Sequence, residues 1–375
     1  MRVTAAVLRH VATARPYDRH QPLELTDLEL DEPGPGEVLV RVKAAGLCHS
    51  DLSTIDGNRP RPTPMALGHE VAGEVVGLGS EDSLLRVGDH VIATFVPSCG
   101  HCHPCRDGRP ALCEPGAVAN SLGELLSGGV RLHEPGGGRV NHHLGVSGFS
   151  DHIVVSERSL VAIDPGLPWE VAALFGCAVL TGVGAVVNSA GVRMGQSLVI
   201  FGLGGVGLSA LLGAMAVGAN PILVVDPMAG KRELALQLGA SHALDATADV
   251  VEQIKDATGG GADHALETVG APSVLAQAFS ATRRGGVTTT VGLPAPSAQL
   301  TVAPLTLTAE ERVLQGSYMG SSVPAIDIPR FIGLHQAGRL PVDKLLTHRL
   351  TLSELNEGFE RLARAEAIRQ VVVFD

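Results

Sequence analysis

Two hydrophobic patterns divide the chain. Up to about Pro168 the apolar positions alternate over short stretches. Val38–Ala44 reads VLVRVKA, the period of a strand with one buried face. Val71–Val76 and His90–Ala93 read as further short strands between glycine-rich turns. Glu114–Gly148, with three glycines at Gly136–Gly138 and the run NHHLGVSGF, reads as loop. This part is expected to be β-rich.

Beyond Pro168 strands and helices alternate. Trp169–Ala190 reads as helical or mixed, and Ser197–Phe201 is continuously apolar, as in a parallel strand buried on both faces. A helix over Leu208–Val217 leads to the strand Ile222–Val225, which Asp226 closes. The helices Arg232–Leu238, Val250–Thr258 and Val274–Thr282 then alternate with the strands His242–Leu244, Ala262–Thr268 and Gly286–Gly292. The pattern predicts an α/β fold with a doubly wound parallel sheet. The last segment carries helices over Ile328–Ala337 and Leu352–Ala365 and a strand over Gln370–Phe374. No linker precedes it, so it is assigned to the first domain: residues 1–178 and 321–375 form the β-rich domain and 179–320 the doubly wound one.

Composition supports a folded two-domain chain: 375 residues, 45% hydrophobic and 18% charged. With 3% aromatic residues, the core must rest on Val, Leu, Ala and Ile. A formal charge of −11 argues against a nucleic-acid partner. The longest apolar runs, Val171–Ala190 and Leu198–Ala219, are interrupted by glycine and polar residues, so no membrane span is expected. The start, MRVTAAVLRH, lacks the long apolar core and cleavage site of a signal peptide, and a cytoplasmic location is expected.

Four of the six cysteines, Cys99, Cys102, Cys105 and Cys113, form C-x2-C-x2-C-x7-C. In a long chain without a signal peptide this spacing reads as a metal knuckle. Four thiolates hold a closed tetrahedral zinc, a structural site; an iron–sulfur cluster uses the same ligand number. Cys48, in AAGLCHSD, and Cys177, in ALFGCAVLTG, flank Gly68-His69-Glu70. One histidine and two cysteines make a three-ligand zinc set whose open fourth position admits a substrate.

Gly202-x-Gly204-x-x-Gly207 follows an apolar strand and opens a helix. Gly202 suits the tight turn, Gly204 the approach of a pyrophosphate, and Gly207 close helix–strand contact. Asp226 is spaced to bind the adenosine ribose hydroxyls and would repel a 2′-phosphate, which favours NAD over NADP; Lys231 lies within reach of the same ribose.

Together these residues resemble the zinc-containing medium-chain alcohol dehydrogenases, a group that includes the glutathione-dependent formaldehyde dehydrogenases. The resemblance runs through CHSD at Cys48, GHE at Gly68, the cysteine knuckle, HHLGVSGFSDHIVV from His142, GCAVLTG from Gly176, GLGGVG from Gly202, VVD from Val224, and NEGF with IRQVVVF near the end. It implies a GroES-like catalytic domain and a Rossmann NAD-binding domain. It implies two zinc ions: a catalytic one on Cys48, His69 and Cys177, with Glu70 as a carboxylate that transiently approaches the metal, and a structural one on the knuckle. Asp51 takes the role of fixing the His69 ring, and Ser50 that of accepting the substrate proton. Thr181 and Val206 line the nicotinamide, His49 and Arg369 contact the pyrophosphate, and Gly205, Val269 and Val291 are further cofactor positions.

The implied activity is reversible hydride transfer between a primary alcohol or its aldehyde and NAD. A thiol-adduct formaldehyde dehydrogenase is the alternative within the group; a nucleotide-binding protein without catalysis would have no use for seven zinc ligands. Ser53 stands where relatives often carry a relay histidine, and His49 where an arginine is common. Phe95, His143, Leu144 and Tyr318 fall at positions that line the substrate pocket in relatives. Arg59 and Arg61 replace the acidic residues of the glutathione-dependent enzymes. The long segment after Cys113 resembles the dimeric members, so a homodimer is expected, a tetramer being the other form.

Overall fold

The computed structural model describes residues 1–375. Their contacts divide the chain into two compact units. Met1–Cys177, Val323–Ile332 and Asp343–Asp375 form one; Ala178–Ser322 and Gly333–Val342 form the other.

The first unit is built around the strand Glu37–Gly46. It pairs antiparallel with Glu70–Leu78, His152–Ser156 and Arg369–Val373. Val38, Val40 and Val42 point inward and are buried, as the alternation predicts. They join a core that includes Leu47, Ile55, Leu67, Phe149 and Phe359. A closed barrel stands beside this sheet, running Arg2–Leu8, Leu23–Leu30, Leu132–His133, Arg139–His142 and Met65–Ala66. The first two strands were not assigned from the sequence. Ala5, Ala6, Val7 and Leu8 are all fully buried, so both faces of this strand are covered and no period of two shows.

Glu114–Gly148 is not loop throughout. Glu114–Leu122 is a helix, and the segment supplies two strands to the barrel. Only Gly116, Ala119 and Asn120 of the helix are buried, which leaves no apolar stripe to read. Its ends are set locally: the Cys113 Sγ accepts the Gly116 amide N–H at 3.4 Å, Pro115 sits in the first turn, and Gly123 closes it at φ 69°.

The second unit holds six parallel strands. In space they run His242–Leu244, Ile222–Val225, Leu198–Phe201, Ala262–Glu267, Thr282–Thr290 and Val313–Gly316. The two strands that follow Leu198–Phe201 in the chain extend the sheet on one side and the remaining three on the other. This is a doubly wound order whose reversal falls beside Leu198–Phe201. The helix that follows Leu198–Phe201 starts at Gly205, earlier than its apolar pattern, because Gly204 caps it with extended backbone. No single helix is long and apolar enough to cross a membrane.

A buried carboxylate ties the chain ends of the first unit. Glu360, on the helix Leu355–Ala363, accepts two hydrogen bonds from Arg15 (2.9 and 3.2 Å), one from the Tyr17 amide (3.0 Å) and one from Arg364 (2.8 Å). The Arg15 bonds, with those of Tyr17 and Arg364, draw its pKa down to about 2 against the cost of burial. An unfolded glutamate titrates near ~4.3. The folded value is the lower one, so this stabilisation is complete above ~4.3 and is lost as pH falls through about 2. Glu360→Gln is therefore expected to be about 1–2 kcal/mol less stable in urea at pH 7. The gap should shrink steadily on acidification below pH ~4.3; a gap independent of pH would contradict the assignment.

Candidate functional site

Cys48, His69, Glu70 and Cys177 come together in the interior of the first unit. One donor atom from each lies within 4.8 Å of all the others, and all four residues are buried. Cys48 stands at the N-cap of the helix His49–Ile55, and Asp51 at its third position returns Oδ2 to the Cys48 amide at 3.1 Å. Asp51 Oδ1 accepts the Gly68 amide at 3.2 Å and faces Nδ1 of His69 at 3.0 Å. It also stands 3.1 Å from Nδ1 of His143. With Nδ1 of His69 donating to Asp51, Nε2 is left as the metal-binding nitrogen. Gly68 is required for this placement: its φ is 94°, and a Cβ there would lie 2.5 Å from the Phe149 amide nitrogen. Gly46 leaves room for Glu70, whose carboxylate pairs with the buried guanidinium of Arg369.

The charges in this interior are strongly coupled. Burial opposes a charged His69, but the Asp51 and Cys48 charges overcome it and raise its pKa well above the ordinary value. Burial likewise opposes ionised Asp51; His69 and His143 nonetheless hold its carboxyl below the usual range. Burial pushes Glu70 up to about 8, with Arg369 working against it. A hydrogen bond from Cys177 favours the Cys48 thiolate and leaves Cys177 as the harder thiol to ionise.

Two thiols, an imidazole nitrogen and a carboxylate suit zinc. Bonds of ~2.3 Å from two thiolates place their sulfur atoms roughly 3.8 Å apart around a tetrahedral ion. That spacing fits within the 4.8 Å spanned by the donors. Glu70 Oε1 is buried without a hydrogen-bond partner, a further free donor in the same cluster.

The four knuckle thiols also converge within 4.8 Å. Amides serve the sulfur atoms: Cys99 N–H donates to Cys113 Sγ, and Cys102 N–H to Cys99 Sγ, both at 3.2 Å. Despite burial, the His101 and Cys102 amides bring the Cys99 thiol down to about 6. A closed set of four thiols, with amides already aimed at sulfur, fits a structural metal.

Ser50 is half-buried at the start of the same helix as Asp51, and its carbonyl accepts from Thr54 Oγ1 at 3.2 Å. His49 is exposed, and Arg369 is enclosed beside Glu70. Phe95 and His143 both set a ring edge-on to the His69 imidazole, at centroid distances of 5.7 and 5.4 Å. Leu144 follows at φ 53°. Arg61 is committed to a backbone contact, donating to the Asn120 carbonyl at 2.9 Å. The sequence reading placed His143 in the pocket but missed its approach to Asp51; the adjacent histidines of NHHLG were the available signal.

In the second unit Gly202 turns at φ 92°, and its amide donates to the Val225 carbonyl at 2.8 Å. A Cβ at Gly207 would collide with the Gly202 carbonyl, whereas one at Gly204 would meet nothing within 4 Å. Gly204 is thus the open face of the turn. The helix Gly205–Val217 starts there, with unpaired amides able to meet an anion. Asp226 is buried and accepts the Leu203 amide at 2.8 Å and the Met228 amide at 2.9 Å, one on each oxygen. Lys231, Gly205 and Val206 are half-buried nearby in the chain. Thr181 is buried with an unpartnered hydroxyl, while Val291 is buried and Val269 exposed. Glu267 and Thr268, which the sequence reading passed over, lace this turn to its neighbours; an acid closing the strand ADHALE was the visible clue.

Comparison with known proteins identifies the family of both domains. Residues 34–165 match the alcohol dehydrogenase GroES-like domain, and residues 205–337 the zinc-binding dehydrogenase domain. The chain is 43% identical to geraniol dehydrogenase of Castellaniella defragrans, over 99% of this chain and 97% of that one. It is 33% identical to S-(hydroxymethyl)glutathione dehydrogenase of Paracoccus denitrificans, over 94% and 97%. The crystal structure of benzyl alcohol dehydrogenase from Acinetobacter calcoaceticus superposes with a TM-score of 0.93 at 32% identity, covering 100% of both chains.

The two glycines of the turn make a direct test. Gly204→Ala is expected to unfold within about 0.5 kcal/mol of the parent. Gly207→Ala should lose about 1–3 kcal/mol through the forced collision. Equal losses in urea titrations would show that the turn is not packed as described.

Proposed function

The chain belongs to the zinc-dependent medium-chain alcohol dehydrogenases, and we propose that it oxidises apolar primary alcohols to aldehydes, reversibly, with NAD and two zinc ions per chain. It is an alcohol dehydrogenase, an oxidoreductase of CH–OH groups in small molecules. The observation that carries the finer reading is the buried meeting of Cys48, His69, Glu70 and Cys177.

In this reading Cys48, His69 and Cys177 hold the catalytic zinc, and Cys99, Cys102, Cys105 and Cys113 the structural one. Bound there, zinc supplies a Lewis acid for the substrate oxygen, and the nicotinamide supplies a hydride acceptor. The chain does the rest. Asp51 fixes His69 in the tautomer that presents Nε2. Ser50 Oγ accepts the alcohol proton as its own hydroxyl proton passes on to solvent, and the substrate carbon gives up one hydride, so the products are aldehyde, reduced cofactor and one proton released to water. The Phe95 ring, edge-on to the His69 imidazole, gives the site an apolar wall that suits a flat apolar substituent on the alcohol. The names of the geraniol and benzyl alcohol relatives support that class.

NAD is bound at the second unit, its pyrophosphate on the Gly204 turn and its adenosine ribose on Asp226, with Lys231 near the same ribose. Thr181, Val206, Val269 and Val291 line the remaining cofactor surface. Arg369 is ion-paired with one oxygen of Glu70 and leaves the other within the cluster, and His49 stands exposed at the start of the helix that Cys48 caps. The thiol-adduct reading is weaker, because Arg59 and Arg61 stand where the relatives that use glutathione carry acids. We extend the reading to a cytoplasmic homodimer, supported by the long segment retained after Cys113.

NADH formation should follow addition of allylic or benzylic primary alcohols without any added thiol. Turnover of formaldehyde only when glutathione is present would replace this reading with the adduct enzyme. Ser50→Ala is expected to lower kcat by roughly 100-fold and leave the KM for NAD unchanged, because only the proton acceptor is lost. An unaltered kcat would remove Ser50 from the proton path.

A further inference from the structure

We propose that Glu267 is a positioning residue for the nicotinamide cofactor, acting with Thr268 to hold three strand-end turns of the second unit as one ledge. The inference rests on the reading that the nucleotide binds at the Gly204 turn. Glu267 closes the strand Ala262–Glu267 and is buried. Its Oε1 accepts the consecutive amides of Val269 and Gly270, at 2.7 and 2.5 Å, and Oε2 accepts the Thr290 hydroxyl at 2.8 Å. Its own carbonyl accepts the amides of Val291 and Gly292, at 2.8 and 3.0 Å. One residue thereby ties the turn after its own strand to the turn after Thr282–Thr290. No arginine or lysine pairs with the carboxylate. Amide and hydroxyl donors satisfy it entirely, so its partners are the backbone of the ledge itself.

Thr268 carries the connection to the third turn. Its hydroxyl donates to the carbonyls of Phe201 and Gly202, at 2.9 and 3.0 Å, and its amide donates to Phe201 at 3.0 Å. The turns also touch directly. A Cβ at Gly202 would lie 2.7 Å from the Val269 side chain, one at Gly270 would lie 2.8 Å from the Leu293 carbonyl, and one at Gly292 would strike Gly270. Movement of any one of these turns must therefore move the others. Binding sites hold a ligand tightly when their donors are fixed before it arrives, because no ordering cost remains at the moment of binding. Gly202 belongs to the turn proposed to face the pyrophosphate, and Val269 and Val291 sit on the two turns that Glu267 clamps. The carboxylate thus acts on the cofactor through the backbone without touching it.

The test uses the zinc-loaded full chain and titrates NADH by its fluorescence, with steady-state kinetics alongside. Thr268→Val removes the hydroxyl at nearly constant shape, and Thr268→Ser restores it. Thr268→Val removes two side-chain hydrogen bonds of the ledge and Glu267→Ala three, and each is expected to raise the NADH Kd and the KM for NAD by at least about tenfold. The kcat at saturating NAD and the KM for alcohol should stay within about threefold of the parent, and Thr268→Ser within about twofold in NADH affinity. Folded Thr268→Val with unchanged NADH affinity would overturn the proposal, as would a Thr268→Ser variant as weak as Thr268→Val. If Glu267→Ala does not fold, the Thr268 pair alone decides. Failure of the parent protein to bind NADH would instead refute the nucleotide site itself.

Discussion

The Asp51 carboxylate is the constraint on which the cluster of Cys48, His69 and Cys177 depends. It sits in the interior with no solvent to share its charge, and it is satisfied by the amides of Cys48 and Gly68 and by the imidazole of His69. Each of those bonds positions a different segment. One closes the first turn of the helix that Cys48 caps, one fixes the left-handed Gly68, and one turns the His69 ring. A cysteine and a histidine from distant segments thereby present their donors at one point. The energy to keep such a charge buried comes from these contacts, so removal of the carboxylate would release the geometry along with the charge.

Buried carboxylates elsewhere do comparable work with different partners. Glu37 receives two hydrogen bonds from Arg131, each at 2.8 Å, and so anchors the segment that feeds the barrel. Glu70 is paired with Arg369 and keeps one oxygen unpartnered in the metal cluster. Asp226 and Glu267 are served by amides and a hydroxyl alone. The distinction matters chemically. Glu37, held by arginine, is spent on structure, whereas Asp226 and Glu267, held by the dipoles of turns, organise backbone. The aromatic-poor composition fits this division, because small aliphatic side chains and glycines let backbone segments approach closely enough for carboxylates to bridge them.

Much of this was legible in the residues. The alternation over Val38–Ala44 marked the central strand, because one face of that strand is buried and the other is not. The Gly202 turn was legible because sterics leave little choice there: a side chain at Gly202 or Gly207 meets backbone or a neighbouring turn. The cysteine spacing pointed to a metal because four thiols on a turn-rich loop have few other uses. Patterns failed where a feature depends on distant contacts. The strand Arg2–Leu8 is covered on both sides and shows no period, and the helix Glu114–Leu122 is defined by a cysteine cap and a closing glycine with almost no apolar face. The approach of His143 to Asp51, and the lacing by Glu267 and Thr268, join residues separated by long loops, and no local spacing encodes them.

The central claim is that Cys48, His69 and Cys177 hold a second metal apart from the knuckle. Zinc per chain, measured on the purified protein and on Cys48→Ala, tests it most directly. The account predicts two zinc ions in the parent and one in the variant, with the fold kept by the knuckle. One zinc in both proteins would contradict it.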